Sequence, residues 1–200
     1  GYRLVFPEII DKGRFVSAAV KTLLIEYANR RATYREAEIP LWLSEGLTAE
    51  LMARALPVLA LESSSGINGR GQTPDPLADA RVRLREREPF SFDDLSMPLN
   101  LPEADMPHFR ACAQVFVHEL LRLKDGRNCL RRMLERLPDN YNWQTTFLEE
   151  FAGQFHSLLD VDQWYALAVT GTQARDRSAL LSIAATQQQL DTILETMVEV

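Results

Sequence analysis

Two glutamates and one histidine carry most of the chemistry open to this chain. Glu26 lies in "TLLIEYANRR", Glu45 in "IPLWLSEGLTAEL", and His118 opens "HELLR". Two carboxylates facing one cleft can split their pKa values and serve as general acid and base. A catalytic divalent ion asks for more. Imidazoles at i and i+4 share a helical face and reach one tetrahedral zinc, and a carboxylate between them activates the bound water. Around Glu26 those two places hold Ile25 and Asn29. An isoleucine cannot ligate, and a neutral Asn amide is a poor zinc donor beside imidazole. In "HELLR" the second place is Arg122, a fixed cation that would repel zinc, and His108 lies ten residues earlier, off the same face. A helix-surface or capping role for His118 is the ordinary expectation. Nucleophile elbows, P-loops and dinucleotide-binding glycine patterns are absent from the sequence.

The elements that must position these residues are helical. "GRFVSAAVKTLLIEYANRR" sets Val16, Ala19, Val20, Leu23, Leu24 and Tyr27 on one broad face, predicting a helix over about 11–31 with Glu26 paired to Arg30 at i+4. "EIPLWLSEGLTAELMARAL" predicts a second, starting near Pro40 and ending or kinking at Pro57, with Glu45 in its first turn. "ESSSGINGRGQTPDP" reads as a surface loop over 62–75. In "LADARVRLRERE", Leu77, Ala80 and Leu84 favour a helix over a strand, stopping before Pro89, with its charges on a solvated face. Ser91 with Asp94 makes a capping box for a short turn ending by Pro98. Helices follow over about 107–124, 127–137, 143–156 and 161–169, the third carrying Trp143, Phe147, Phe151 and Phe155 as a buried stripe. Thr186 with Gln189 repeats the capping pattern. Alternation with period two occurs only in "YRLVF" and in the tail "MVEV", so the fold is expected to be mainly α with at most a short strand near each terminus.

"IPLWLSEGLTAEL" resembles the second metal-binding helix of gluzincin-type (peptidase-MA-like) metallopeptidases, whose motif runs roughly P-x-W-x-x-E-G-x-A-E. The matching positions are Pro40, Trp42, Glu45, Gly46 and Glu50, with Thr48 and Ala49 near the family's small-residue step. In that family the glutamate of the E-G pair is the third zinc ligand, and the glycine lets an adjacent helix approach closely. The preceding helix carries H-E-x-x-H, and its place here is "IEYAN". Glu26 then matches the general base, while Ile25 and Asn29 replace both histidines, a degenerate motif. "PFSFDDL", "CAQVFVHELLRLKDG", "CLRRMLERL" and "NWQTTFLEEF" resemble the family's helical tail, so the likeness spans about residues 11–170.

The resemblance implies a helical zincin-like C-terminal subdomain, giving a domain over 1–170, with 171–200 as an extension packing on it and its tail a candidate edge strand. It implies vestigial ligand positions at Ile25, Asn29 and Glu45, no zinc or other cofactor, and a catalytically inactive pseudopeptidase with a binding or scaffolding role toward a protein or peptide. Three alternatives stand beside it: a metal-independent hydrolase using the Glu26/Glu45 pair, a zinc peptidase with non-standard ligands, and an interface module inside a larger envelope protein. If the two helices keep the family's geometry, Ile25→His with Asn29→His should create a zinc site with Glu45. Proteins with such domains are often exported, which implies an extracytoplasmic or envelope location.

Bulk properties narrow the field further. A net charge of −6 argues against nucleic acid, since phosphate binding needs a basic surface. No apolar run approaches the ~18–20 residues that span a bilayer. The chain opens at Gly1 without a methionine and reads as a piece of a longer protein. Cys112 and Cys129 fall on two helices joined at Asp125-Gly126, roughly 15 Å apart by helical rise, so both are expected as buried free thiols.

Overall fold

Asp11 sets the first helix. Its backbone is extended and its carboxylate accepts the Arg14 amide hydrogen at 3.0 Å, satisfying one of the donors a helix start leaves open. From there α1 spans Lys12–Asn29, followed by α2 (Leu41–Leu59), α3 (Ala78–Glu86), α4 (Phe92–Ser96), α5 (Met106–Arg122), α6 (Gly126–Arg136), α7 (Trp143–Glu150) and α8 (Leu158–Ala179). The computed structural model describes residues 11–30, 32, 34–59, 75–98 and 100–179, with side chains at 55–59 and 175–179 excepted. Among the described residues there is no strand, and no helix is long and apolar enough to cross a membrane. The fold is mainly α.

The organising element is α5. From His108 to Val117 every residue but Arg110 is buried, which is what a helix surrounded by others requires. Against it lies α2, and the two cross at Gly46. A Cβ at that position would fall 2.4 Å from the Ala113 carbonyl oxygen and 2.6 Å from Val117 Cγ2. The missing side chain lets backbone meet backbone. Around this pair, α1 packs on α2 and α6, α3 on α5 and α8, α4 on α8, and α6 on α7. Trp42 from α2 meets Phe116 of α5 edge-on at 4.8 Å, with Trp143 and Phe147 of α7 closing the cluster. Phe147, Phe151 and Phe155 continue it as the expected stripe, all buried. On the outside, Glu150 ties α7 to α6 by accepting from Arg132 and Arg136, each at 2.7 Å.

Several expectations need correction. Leu23 is 68% exposed, and α1 buries Val20, Leu24 and Ala28 instead. The helix lies at the rim of the fold, where a narrower stripe suffices. Pro57 does not end α2, which continues to Leu59. Glu45 stands one turn beyond the start of α2, not within its first turn. The third of the long helices stops at Glu150, and a turn over 151–154 delivers Phe155 to the core. The last is longer than 161–169 and runs unbroken across residue 170 to Ala179. Ser91 caps α4 as expected, accepting the Asp94 amide hydrogen at 3.1 Å. Cys112 and Cys129 are free and buried, and burial pushes both thiols up, away from the reactive thiolate. Both period-two segments, the 62–75 loop and the Thr186 capping box lie outside the described residues, apart from Asp75.

Candidate functional site

Glu45 is presented by α2 toward α1 and α5, and both reach it. Ser17 Oγ donates to Glu45 Oε1 at 3.4 Å, while Arg110 brings Nε and Nη2 to Oε2, each at 2.7 Å. The carboxylate side chain is 11% exposed and the guanidinium 41%, so the arginine lies on the solvent side of the acid. A charge-assisted pair of this geometry neutralises Glu45 and leaves no room for a second cation at Oε2.

The level at which Glu45 meets α1 decides the rest. Ser17 precedes Ile25 by eight residues, roughly 12 Å of helix. At the other end of α1, Asn29 Oδ1 accepts the Ala37 amide hydrogen at 2.7 Å and so fastens the connection between the two helices. Residues 25–29 therefore sit at the connection end of α1, while Glu45 is two turns farther along. The structure does not bring Ile25, Glu26, Asn29 and Glu45 together. Glu26 is exposed and, among the described residues, has no ion pair. The expected Glu26–Arg30 pair is replaced by Arg30 over the Tyr27 ring at 5.4 Å, and the Tyr27 hydroxyl donates to Glu135 at 2.5 Å. That hydrogen bond, with burial, raises the Tyr27 pKa.

A zinc ion does not fit these residues. Ile25 has no donor, the Asn29 carbonyl oxygen is engaged by Ala37, and Glu45 is covered by a guanidinium. Among the described residues no group of three or more His, Cys, Asp or Glu could hold a metal. Asn29 instead has structural work. Asn29→Ala should lower stability by about 1 kcal/mol through the orphaned Ala37 amide, read as a shift of the urea midpoint.

A second polar centre escaped the sequence reading. His118 is not a surface residue but is 11% exposed, with Nδ1 3.0 Å from Glu50 Oε1. Arg54 donates to the same oxygen from Nε at 2.7 Å, while Glu50 Oε2 is buried without a hydrogen-bond partner. Burial works to raise the Glu50 pKa, but the His118 hydrogen bond and charge, together with Arg54, outweigh it and hold the carboxyl below its ordinary value. Among the described residues no hydroxyl or thiol bonds to His118, so the pair has no nucleophile to activate. The signal that could have found it is Gly46. Where a glycine lets two helices touch, residues about one turn onward, here Glu50 and His118, are forced to meet. The remaining histidines are structural or surface: His108 is buried with Nε2 2.9 Å from the Glu88 carbonyl, and His156 is 88% exposed.

Between α2, α3 and α5, beside the Arg110–Glu45 pair, runs an open groove of about 310 Å³. Among the described residues its floor is small and apolar, with Ala49 and Ala53 from α2, Ala80 from α3 and Ala111 from α5, and its charged groups are Arg83, Arg110 and Asp79. Comparison with protein-family models, with curated proteins and with solved structures finds no match for this chain.

Proposed function

We infer that this chain is a non-catalytic, peptidase-like helical domain whose role is binding or scaffolding. The observation that carries the reading is the Arg110 guanidinium on Glu45, at the position where the gluzincin resemblance expects a metal ligand. A cation already fixed on the one remaining ligand opposes metal capture by direct repulsion. The separation of Glu26 from Glu45 along α1 supports it too, since an acid–base pair needs both groups on one cleft.

Protein purified without chelator should carry far less than one zinc or iron per chain by elemental analysis and should not hydrolyse peptide substrates. Near-stoichiometric metal that is lost on Glu45→Ala would overturn the reading. The helix register gives a sharper test. Ile25→His with Asn29→His should not recruit Glu45, because roughly 12 Å of helix separates the new imidazoles from it. Any zinc the double variant takes up should therefore be held equally well after Glu45→Ala, measured by competition with a chromophoric chelator.

A further inference from the structure

We propose that the outer face of α8 is a docking surface for the C-terminal segment of this same chain, with residues 187–198 folded back against it as a helix. This goes beyond the reading above and does not depend on it. The starting point is a face without charge. From Gln163 to Ala174 the exposed positions of α8 are Gln163, Ala166, Leu167, Thr170, Gly171 and Ala174, none of them ionisable. Leu159, one turn earlier, continues the face, and Leu159 and Leu167 are 61% and 73% exposed. The two acids of the same stretch are engaged elsewhere. Asp160 accepts the His156 and Ser157 amide hydrogens at the helix start, and Asp162 accepts the Phe92 amide hydrogen of α4 at 3.4 Å. By contrast, the exposed positions of α1 include Arg14, Lys21 and Glu26, and those of α3 include Asp79, Arg83 and Glu86. The side of a helix left to water is normally its charged side, so the uncharged side of α8 has the composition of a covered one.

Connectivity selects the occupant. Residues 180–200 lie outside the described residues, and they follow directly from Ala179 at the end of this helix. Their sequence sets Leu190, Ile193, Leu194 and Met197 on one helical side, with Asp191, Glu195 and Glu199 on the other. Thr186 and Gln189 supply a capping box ahead of that pattern. Leu190 and Met197 have the same separation in sequence as Leu167 and Ala174, so both stripes run for roughly 10 Å. Residues 180–186 are then a connection of ordinary length between antiparallel helices. The acids of the segment stay in water, and nothing charged on α8 opposes its apolar side. A second copy of the chain would have to compete with a segment tethered at an effective concentration of about millimolar.

The test is amide hydrogen exchange on the full chain, in the wild type and three variants. Leu167→Glu charges the face of α8, Leu194→Asp charges the apolar side of the segment, and Thr192→Asp charges its opposite side. In the wild type, amides over 190–197 are expected to exchange at least about tenfold more slowly than in an unstructured chain. Leu167→Glu and Leu194→Asp should each remove that protection and leave the amides of α5 as slow as before, while Thr192→Asp should keep it. Absence of protection over 190–197 in the wild type, or protection that survives Leu167→Glu, would overturn the proposal. Should Leu167→Glu also loosen α5, Leu194→Asp decides alone, and protection retained there counts against docking. Protection lost equally in Thr192→Asp would overturn it too, because no particular side of the segment would then be docked. A wild-type dimer in sedimentation that Leu167→Glu splits would also overturn it, by giving the face to a second copy.

Discussion

Gly46→Ala is expected to destabilise the protein by about 3 kcal/mol, with Gly46→Val worse, although alanine is the better helix former by about 1 kcal/mol. The added methyl would have to occupy space 2.4 Å from a backbone oxygen of α5 and 2.9 Å from the carbonyl carbon behind it. A flexible side-chain end could move aside, but the backbone of the central helix cannot shift without loosening its other neighbours. The two helices must separate instead, opening the contact between Trp42 and Phe116. Gly171→Ala on α8 is the control, because a Cβ there meets nothing within 4 Å. It should be neutral or stabilise by about 0.5–1 kcal/mol. Chemical denaturation of the two variants beside the wild type decides the matter, and equal stabilities would mean that α2 and α5 do not cross at Gly46.

His118→Leu should cost about 3 kcal/mol at neutral pH, because it strands Glu50 in the interior with only Arg54, itself half exposed, to answer its charge. The pH dependence carries the diagnostic. In the wild type the Glu50 carboxyl is held below its ordinary value, so its contribution is complete above about pH 4.3 and is lost as pH falls through the lower folded value. Asp75, which burial would raise but which Arg81, the Leu77 amide and the charge of His118 hold down, adds to the same acid limb. Without His118, burial at Glu50 is opposed by Arg54 alone, and protonating that carboxyl costs the folded state less than in the wild type. The stability gap between variant and wild type should therefore narrow between about pH 5 and about pH 3, a window in which the histidines of the unfolded chain are already charged. A gap of constant size across that window would show that Glu50 and His118 are not coupled.

What could be read from sequence was what is local. Ser91 and Asp94 announce α4 because a cap is made within one turn, and the Phe147–Phe151–Phe155 spacing announces a buried face because periodicity needs no partner. Leu23 is exposed against its spacing because an apolar residue at helical spacing says that a stripe exists, not how wide the neighbouring helices will cover it. The alignment of α1 with α2 was hidden for a different reason. It depends on the path of the connecting residues and on the Asn29–Ala37 bond, so the facing of Ser17 and Glu45 follows from tertiary packing rather than motif spacing. The Glu50–His118 contact joins residues 68 apart in sequence, and only the steric consequence of Gly46 pointed toward it.

The central placement of α5 also bears on how the chain is made. During synthesis α1 and α2 emerge well before the helix that covers Trp42 and Leu43, and both residues are fully buried in the finished fold. Until α5 has emerged from the ribosome as far as Arg122, that hairpin has an apolar face and no surface to close it, a state open to chaperone capture and to premature self-association. Nascent chains stalled before α5 should accordingly stay protease-sensitive throughout, and protection should arrive for the N-terminal helices only when the later one clears the exit tunnel.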